Sequence, residues 1–154
     1  PMRELNPVSN ARMAAPFHAA VNAGKRVVSI DLKSEPGKSA FEKLVVAADV
    51  LLESYRPGVI ERLGFGNKRL RELNPGLIHC ALADYGQTGP LRLRAGHDIN
   101  YVAMTGSLNV TGTAERPVIA FPPIADYGGA LQAVAALIWM WQWRIRCFLG
   151  RLTG

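Results

Sequence analysis

Cysteine is scarce: Cys80 and Cys147 are the only two in 154 residues. That excludes a disulfide framework, and no His/Cys spacing suits a zinc site, so no metal is expected. The chain has no Gly-x-Gly-x-x-Gly, no Walker loop, no His-Glu-x-x-His and no Gly-x-Ser-x-Gly. The common nucleotide, metalloprotease and serine-hydrolase signatures are thereby missing. Long apolar runs are missing too. The longest in the most apolar region spans Ala133 to Trp141, far short of the roughly 20 residues a bilayer requires. Ile124 to Trp143 therefore reads as a buried core helix, with no membrane partner. No basic-then-apolar leader stands at Pro1 to Pro7, and the expected location is cytoplasmic. Acidic residues are in the minority, 12 against 18 Lys and Arg, for a net charge of +6. The partner should be anionic. Nucleic acid is not expected, because a recognition-helix pattern and an exposed aromatic platform are lacking. A phosphorylated small molecule suffices.

What is present is the raw material of one packed domain, with 49% hydrophobic residues. Strand and helix signals alternate. Residues 27–31, 49–53 and 77–83 are short apolar or β-branched runs and read as strands. Ser34 can cap a helix whose apolar face is Phe41, Leu44, Val45 and Ala48. Val59 to Leu63 begins a short helix after Arg56-Pro57-Gly58. Asn67 can cap another, stopped by Asn74-Pro75-Gly76. Strands separated by helices of about ten residues indicate βαβ units and a parallel sheet, with ligands expected beyond the carboxyl ends of the strands.

Three features could carry chemistry. In Gly96-His-Asp-Ile-Asn-Tyr101, Asp98 reads as a helix N-cap, which puts His97 at a helix start. The helix dipole there disfavours imidazolium and keeps a neutral base; the plain alternative is a surface histidine beside a cap. Asp126 begins the most apolar helix, either as an ordinary N-cap or as a functional carboxylate. Gly128-Gly129 after it suggests close approach of a ligand or another backbone, since each glycine costs about 1 kcal/mol against alanine in a helix. Lys33, Arg56 and Arg62 stand near strand ends, as solvated charge or as an anion site. His79, on a strand, reads as a packed core residue.

Taken together, the motifs resemble the class III CoA-transferase family. The resemblance is carried by Asn22-Ala-Gly-Lys-Arg-Val-Val-Ser-Ile-Asp-Leu-Lys33, Ala48-Asp-Val-Leu-Leu-Glu-Ser-Tyr-Arg-Pro-Gly58 and Glu61-Arg-Leu-Gly64. Leu73-Asn-Pro-Gly-Leu-Ile-His-Cys80, Tyr85-Gly-Gln-Thr-Gly-Pro90 and Gly96-His-Asp-Ile-Asn-Tyr101 complete it. The last motif is most similar to the 2-methylacyl-CoA racemase branch. The resemblance implies an α/β, Rossmann-like large domain with a parallel sheet. It is incomplete, with the first strand and the C-terminal half missing. Residues 1–136 form the partial CoA-binding domain and 137–154 a divergent tail. It also implies coenzyme A, bound as an acyl-CoA thioester, and an interlocked homodimer. Lys33, Ser54, Tyr55, Arg56, Arg62, Gly96, Asp98, Asn100 and Tyr101 fall on the family's CoA contacts, and His97 and Asp126 on its catalytic positions.

The residue types suit that chemistry. Racemisation needs a base on one face of the thioester α-carbon and an acid on the other, roles a neutral histidine and a carboxyl group can exchange. In a CoA-transferase, Asp126 would instead be an acyl-accepting nucleophile. A third expectation is an inactive truncated remnant that keeps the fold.

Overall fold

A computed structural model of the chain describes Pro16 and residues 18–113 and 115–150, with side-chain surroundings as far as 145. The opening segment 1–15 and the last four residues lie outside the described residues. The chain divides into two units, Pro1–Phe41 and Glu42–Gly154.

In the first unit the local signals act as expected. Ser34 Oγ accepts the Gly37 N–H at 3.1 Å and donates to the Asp31 carbonyl at 2.9 Å. This caps helix α1, Glu35–Ala47, with Pro36 in its first turn, where its missing N–H costs nothing. The expected strand at 27–31 is corrected. The segment has no regular secondary structure, and Val27 and Val28 are exposed. β-branched residues favour extended backbone, but a strand also needs a neighbour for its N–H and C=O groups. Among the described residues none pairs with it.

In the second unit the two remaining strands pair as expected. Strand β1, Val50–Glu53, and strand β2, Ile78–Ala81, run parallel, with Val50 opposite Ile78 and Glu53 opposite Ala81. A parallel pair requires a crossover. It is supplied by helix α2, Val59–Arg62, and helix α3, Asn67–Leu73. Gly58 makes the entry to α2 at φ 84°, a left-handed conformation glycine adopts without a side-chain clash. Helix α4, Asp98–Met104, a 3₁₀ turn, Ser107–Val110, and helix α5, Ile124–Gly150, follow. Val45, Ile60, Phe65, Leu70, Ile78 and Val102 are the buried apolar side chains among the described residues.

Asn74 does more than stop α3. Its Nδ2 donates to the carbonyls of Val45 at 3.0 Å and Ala48 at 2.8 Å at the end of α1, where the Val45 carbonyl also accepts the Ala48 N–H at 3.3 Å. Its Oδ1 accepts the Gly76 N–H at 3.0 Å. Asn74→Ala should therefore lower unfolding stability by about 1–3 kcal/mol, because partly buried carbonyls lose their donor. A urea melt with an unchanged midpoint would show that solvent replaces the amide.

One expectation about the last helix changes. Ile124 to Trp143 is helical, but it is not buried. Leu131, Val134, Ile138 and all three tryptophans are at least 45% exposed. Apolar composition buries a helix only where other elements cover it. Here α5 meets α4 and β2, and Arg144 ties it to the Gly76 carbonyl and the Asp49 carboxylate. No helix of the described residues is long and apolar enough to cross a membrane.

Candidate active site

The carboxyl ends of β1 and β2 open onto a cleft of about 580 Å³. Glu53 and Ala81, the last strand residues, line it. So do Arg56 from the turn after β1, Arg62 from α2 and Arg92 from the loop after β2. All three arginines are exposed. Charge-assisted contacts of guanidinium to phosphate or carboxylate are roughly twice as strong as neutral hydrogen bonds. Arg56 and Arg62 were legible from the sequence as strand-end cations. Arg92 was missed; its only signal was a basic loop, Leu91-Arg-Leu-Arg94.

Ser54 and Tyr55 are exposed on the turn leading to Arg56 and do not line the cleft. The Tyr55 N–H donates to Glu53 Oε2 at 2.6 Å, which holds that turn against the strand end. Lys33 belongs to the first unit, where its N–H donates to the Asp31 carboxylate at 2.9 Å.

A second cluster forms where α4 and α5 begin. Here the sequence reading of the caps is corrected. His97 is the N-cap of α4, and the Asn100 side chain accepts the His97 N–H at 2.9 Å. Asp98 is the first helical residue, and its carboxylate leaves its own helix. Asp98 Oδ1 accepts the N–H groups of Ala125 at 2.6 Å and Asp126 at 3.1 Å. It thus caps α5, and Asp126 sits in the first turn of that helix with its side chain exposed. A carboxylate at a helix N-terminus is favoured both by the unpaired donors and by the dipole. One bridging residue therefore joins the start carrying His97 to the start carrying Asp126. Among the described residues nothing comes within 4 Å of a side chain built at Gly128 or Gly129.

Tyr101 backs this cluster. Its ring meets Tyr85 edge to face, with centroids 5.4 Å apart. Burial, then a hydrogen bond to Asp84 and that carboxylate's charge, pushes the Tyr101 hydroxyl up to about 12 from its usual value near 10. Its stabilising contribution is complete below pH 10 and is lost as pH rises through about 12. The phenol is thus neutral at physiological pH. A side chain at Gly96 would meet the Tyr101 ring at 2.7 Å and the Tyr85 hydroxyl at 2.8 Å, so only glycine fits unless they shift. The Gly96 N–H donates to Asp84 at 3.0 Å. Among the described residues no three His, Cys, Asp or Glu side chains gather to hold a metal ion.

Asn67 does not cap α3; Gly66 takes that position, and the Asn67 side chain turns to His79. His79 lines the cleft beside Glu53, a pairing that depends on the register of the two strands.

The chain is similar to several known proteins. The chain is 43% identical over 110 residues to an α-methylacyl-CoA racemase of Mus musculus, covering 69% of this chain and 28% of that protein. It is 40% identical over 101 residues to an acetyl-CoA:oxalate CoA-transferase of Acetobacter aceti, covering 66% and 26%. A solved CAIB/BAIF family protein from Brucella suis superposes with a TM-score of 0.78 at 35% identity, over 86% of this chain and 35% of that one. The chain thus spans about a quarter to a third of the length of these relatives. The pattern of CoA-transferase family III matches residues 1–146, and the chain belongs to that family.

Proposed function

We propose that this chain carries the acyl-CoA site of a 2-methylacyl-CoA racemase. The observation that carries the reading is the Asp98 bridge, which holds the helix start bearing Asp126 against the one bearing His97. A neutral imidazole and a carboxyl group on neighbouring helix starts can serve the two faces of one α-carbon. One removes the α-proton, leaving the C–H electron pair in the thioester enolate. The other delivers a proton to the opposite face. The arginine cleft supports the same reading, because coenzyme A carries phosphates that Arg56, Arg62 and Arg92 can pair. Racemase and CoA-transferase names both occur among the relatives. The presence of His97 favours the racemase, since acyl transfer needs only a nucleophilic carboxylate at Asp126.

Incubation with a chiral 2-methylacyl-CoA in deuterium oxide tests this, with and without an acceptor acid. Deuterium entering at the α-carbon without an acceptor is expected. Acyl transfer without exchange would move the assignment to a CoA-transferase, and neither reaction would identify an inactive remnant. Arg56→Ala should weaken CoA binding about tenfold or more, as expected for a lost charge-assisted contact of about 1.5–3 kcal/mol. Calorimetry showing equal affinity would remove Arg56 from the site.

A further inference from the structure

The floor of the arginine cleft holds a pair of titratable groups that the proton transfer leaves unused. Leu51 lies opposite His79 across the parallel strands, and Glu53 is two residues beyond Leu51. Side chains alternate with a period of two, so Glu53 and His79 share one face of the sheet. Both are largely enclosed, with side chains 8% and 14% exposed.

Their contacts form a line. His79 Nδ1 lies 2.8 Å from Asn67 Oδ1. That oxygen can only accept, so Nδ1 carries the proton. Among the described residues His79 Nε2 is buried without a hydrogen-bond partner, and Glu53 Oε1 stands 3.7 Å from it. The other oxygen, Glu53 Oε2, accepts the Tyr55 N–H and so holds the turn that carries Arg56. With a neutral ring, a bare nitrogen lone pair faces a carboxylate. A second proton on Nε2 turns that opposition into a charge-assisted contact.

The same proton changes the charge of the cleft. Arg56, Arg62 and Arg92 face Glu53 from β1 and Glu61 from α2, which leaves one net positive charge. Protonation of His79 adds a second, directly against Glu53. We infer that His79 is a positioning residue of the anion cleft: its protonation neutralises Glu53 and strengthens the hold of the arginines on a phosphorylated ligand. This inference rests on the reading of the cleft as the coenzyme A phosphate site.

The test titrates the whole chain and its His79→Gln variant with coenzyme A, and separately with inorganic pyrophosphate, at pH 8.0 and 5.5. Ionisation of the ligand phosphates, of His18 and of His97 is common to both proteins and cancels in their ratio. The unmodified chain should gain at least about fivefold in affinity over His79→Gln on acidification, the low end of typical coupling between two sites. A ratio that does not change with pH overturns the role of His79 and leaves the coenzyme A reading standing. A His79-dependent response to pyrophosphate with no binding of coenzyme A overturns that reading and keeps the role. No binding of either probe overturns both. If His79→Gln does not fold, the imidazole titration of the unmodified chain is followed by NMR. Saturating pyrophosphate must move the His79 titration to higher pH, by reciprocity; an unmoved curve overturns the inference.

Discussion

His97→Ala should abolish α-proton exchange from one enantiomer of a 2-methylacyl-CoA while sparing much of the exchange from the other. Asp126→Ala should show the opposite bias. The expected loss on the affected face is about 10²–10⁴-fold, the usual contribution of a positioned acid or base. The asymmetry follows from the geometry. The two residues head different helices, joined through Asp98, so each can address its own side of the substrate. Deuterium incorporation measured separately for each enantiomer, in a protein carrying this segment at the length of its relatives, reads the difference. Equal loss from both enantiomers would show that one residue acts only through structure. Transfer retained in His97→Ala and lost in Asp126→Ala would identify Asp126 as a nucleophile.

Leu70→Ala should be among the damaging core truncations, costing about 2–5 kcal/mol. Leu70 is 1% exposed and belongs to a set of six buried apolar side chains among the described residues. A typical domain is stable by only about 5–15 kcal/mol, so this one change removes a large share. The measurement is the denaturant midpoint, which should fall with the slope unchanged. A midpoint within error of the unmodified chain would mean that α3 repacks without a cavity. Leu44→Ala is the internal comparison. It lies on the same expected apolar face as Val45 but is 50% exposed, so its loss should be small.

Local chemistry was legible wherever the partner lies within a few residues. Ser34 caps α1 because Gly37 is three residues away. Asn74-Pro75-Gly76 stops α3 because proline cannot continue a helix, and the aliphatic runs of β1 and β2 carry their own extended preference. Arg56 and Arg62 were legible because a motif places them beside strand ends.

Other features were decided by which elements meet. Asp98 has every local qualification to cap its own helix, yet it caps α5, whose free N–H groups lie 27 and 28 residues away in sequence. Asn67 likewise turns from its own helix to His79, 12 residues away. The run at 27–31 is extended in preference but unpaired among the described residues, because a strand is completed by a neighbour. Helix α5 is apolar enough to be core and is nevertheless exposed, because burial depends on what packs against it.

The sequence by itself determined the Ser34 start of α1, the Asn74-Pro75-Gly76 stop of α3, strands β1 and β2 and the kinds of side chain at their ends, since these depend on contacts within one turn or one strand. Only the tertiary structure decided that Glu53 and His79 share a sheet face and that Asp98 joins two helix starts. It also placed Arg92 with Arg56 and Arg62. Such juxtapositions follow from strand register and helix docking, whose free energy is spread over the whole core and leaves no trace in the spacing of any one motif.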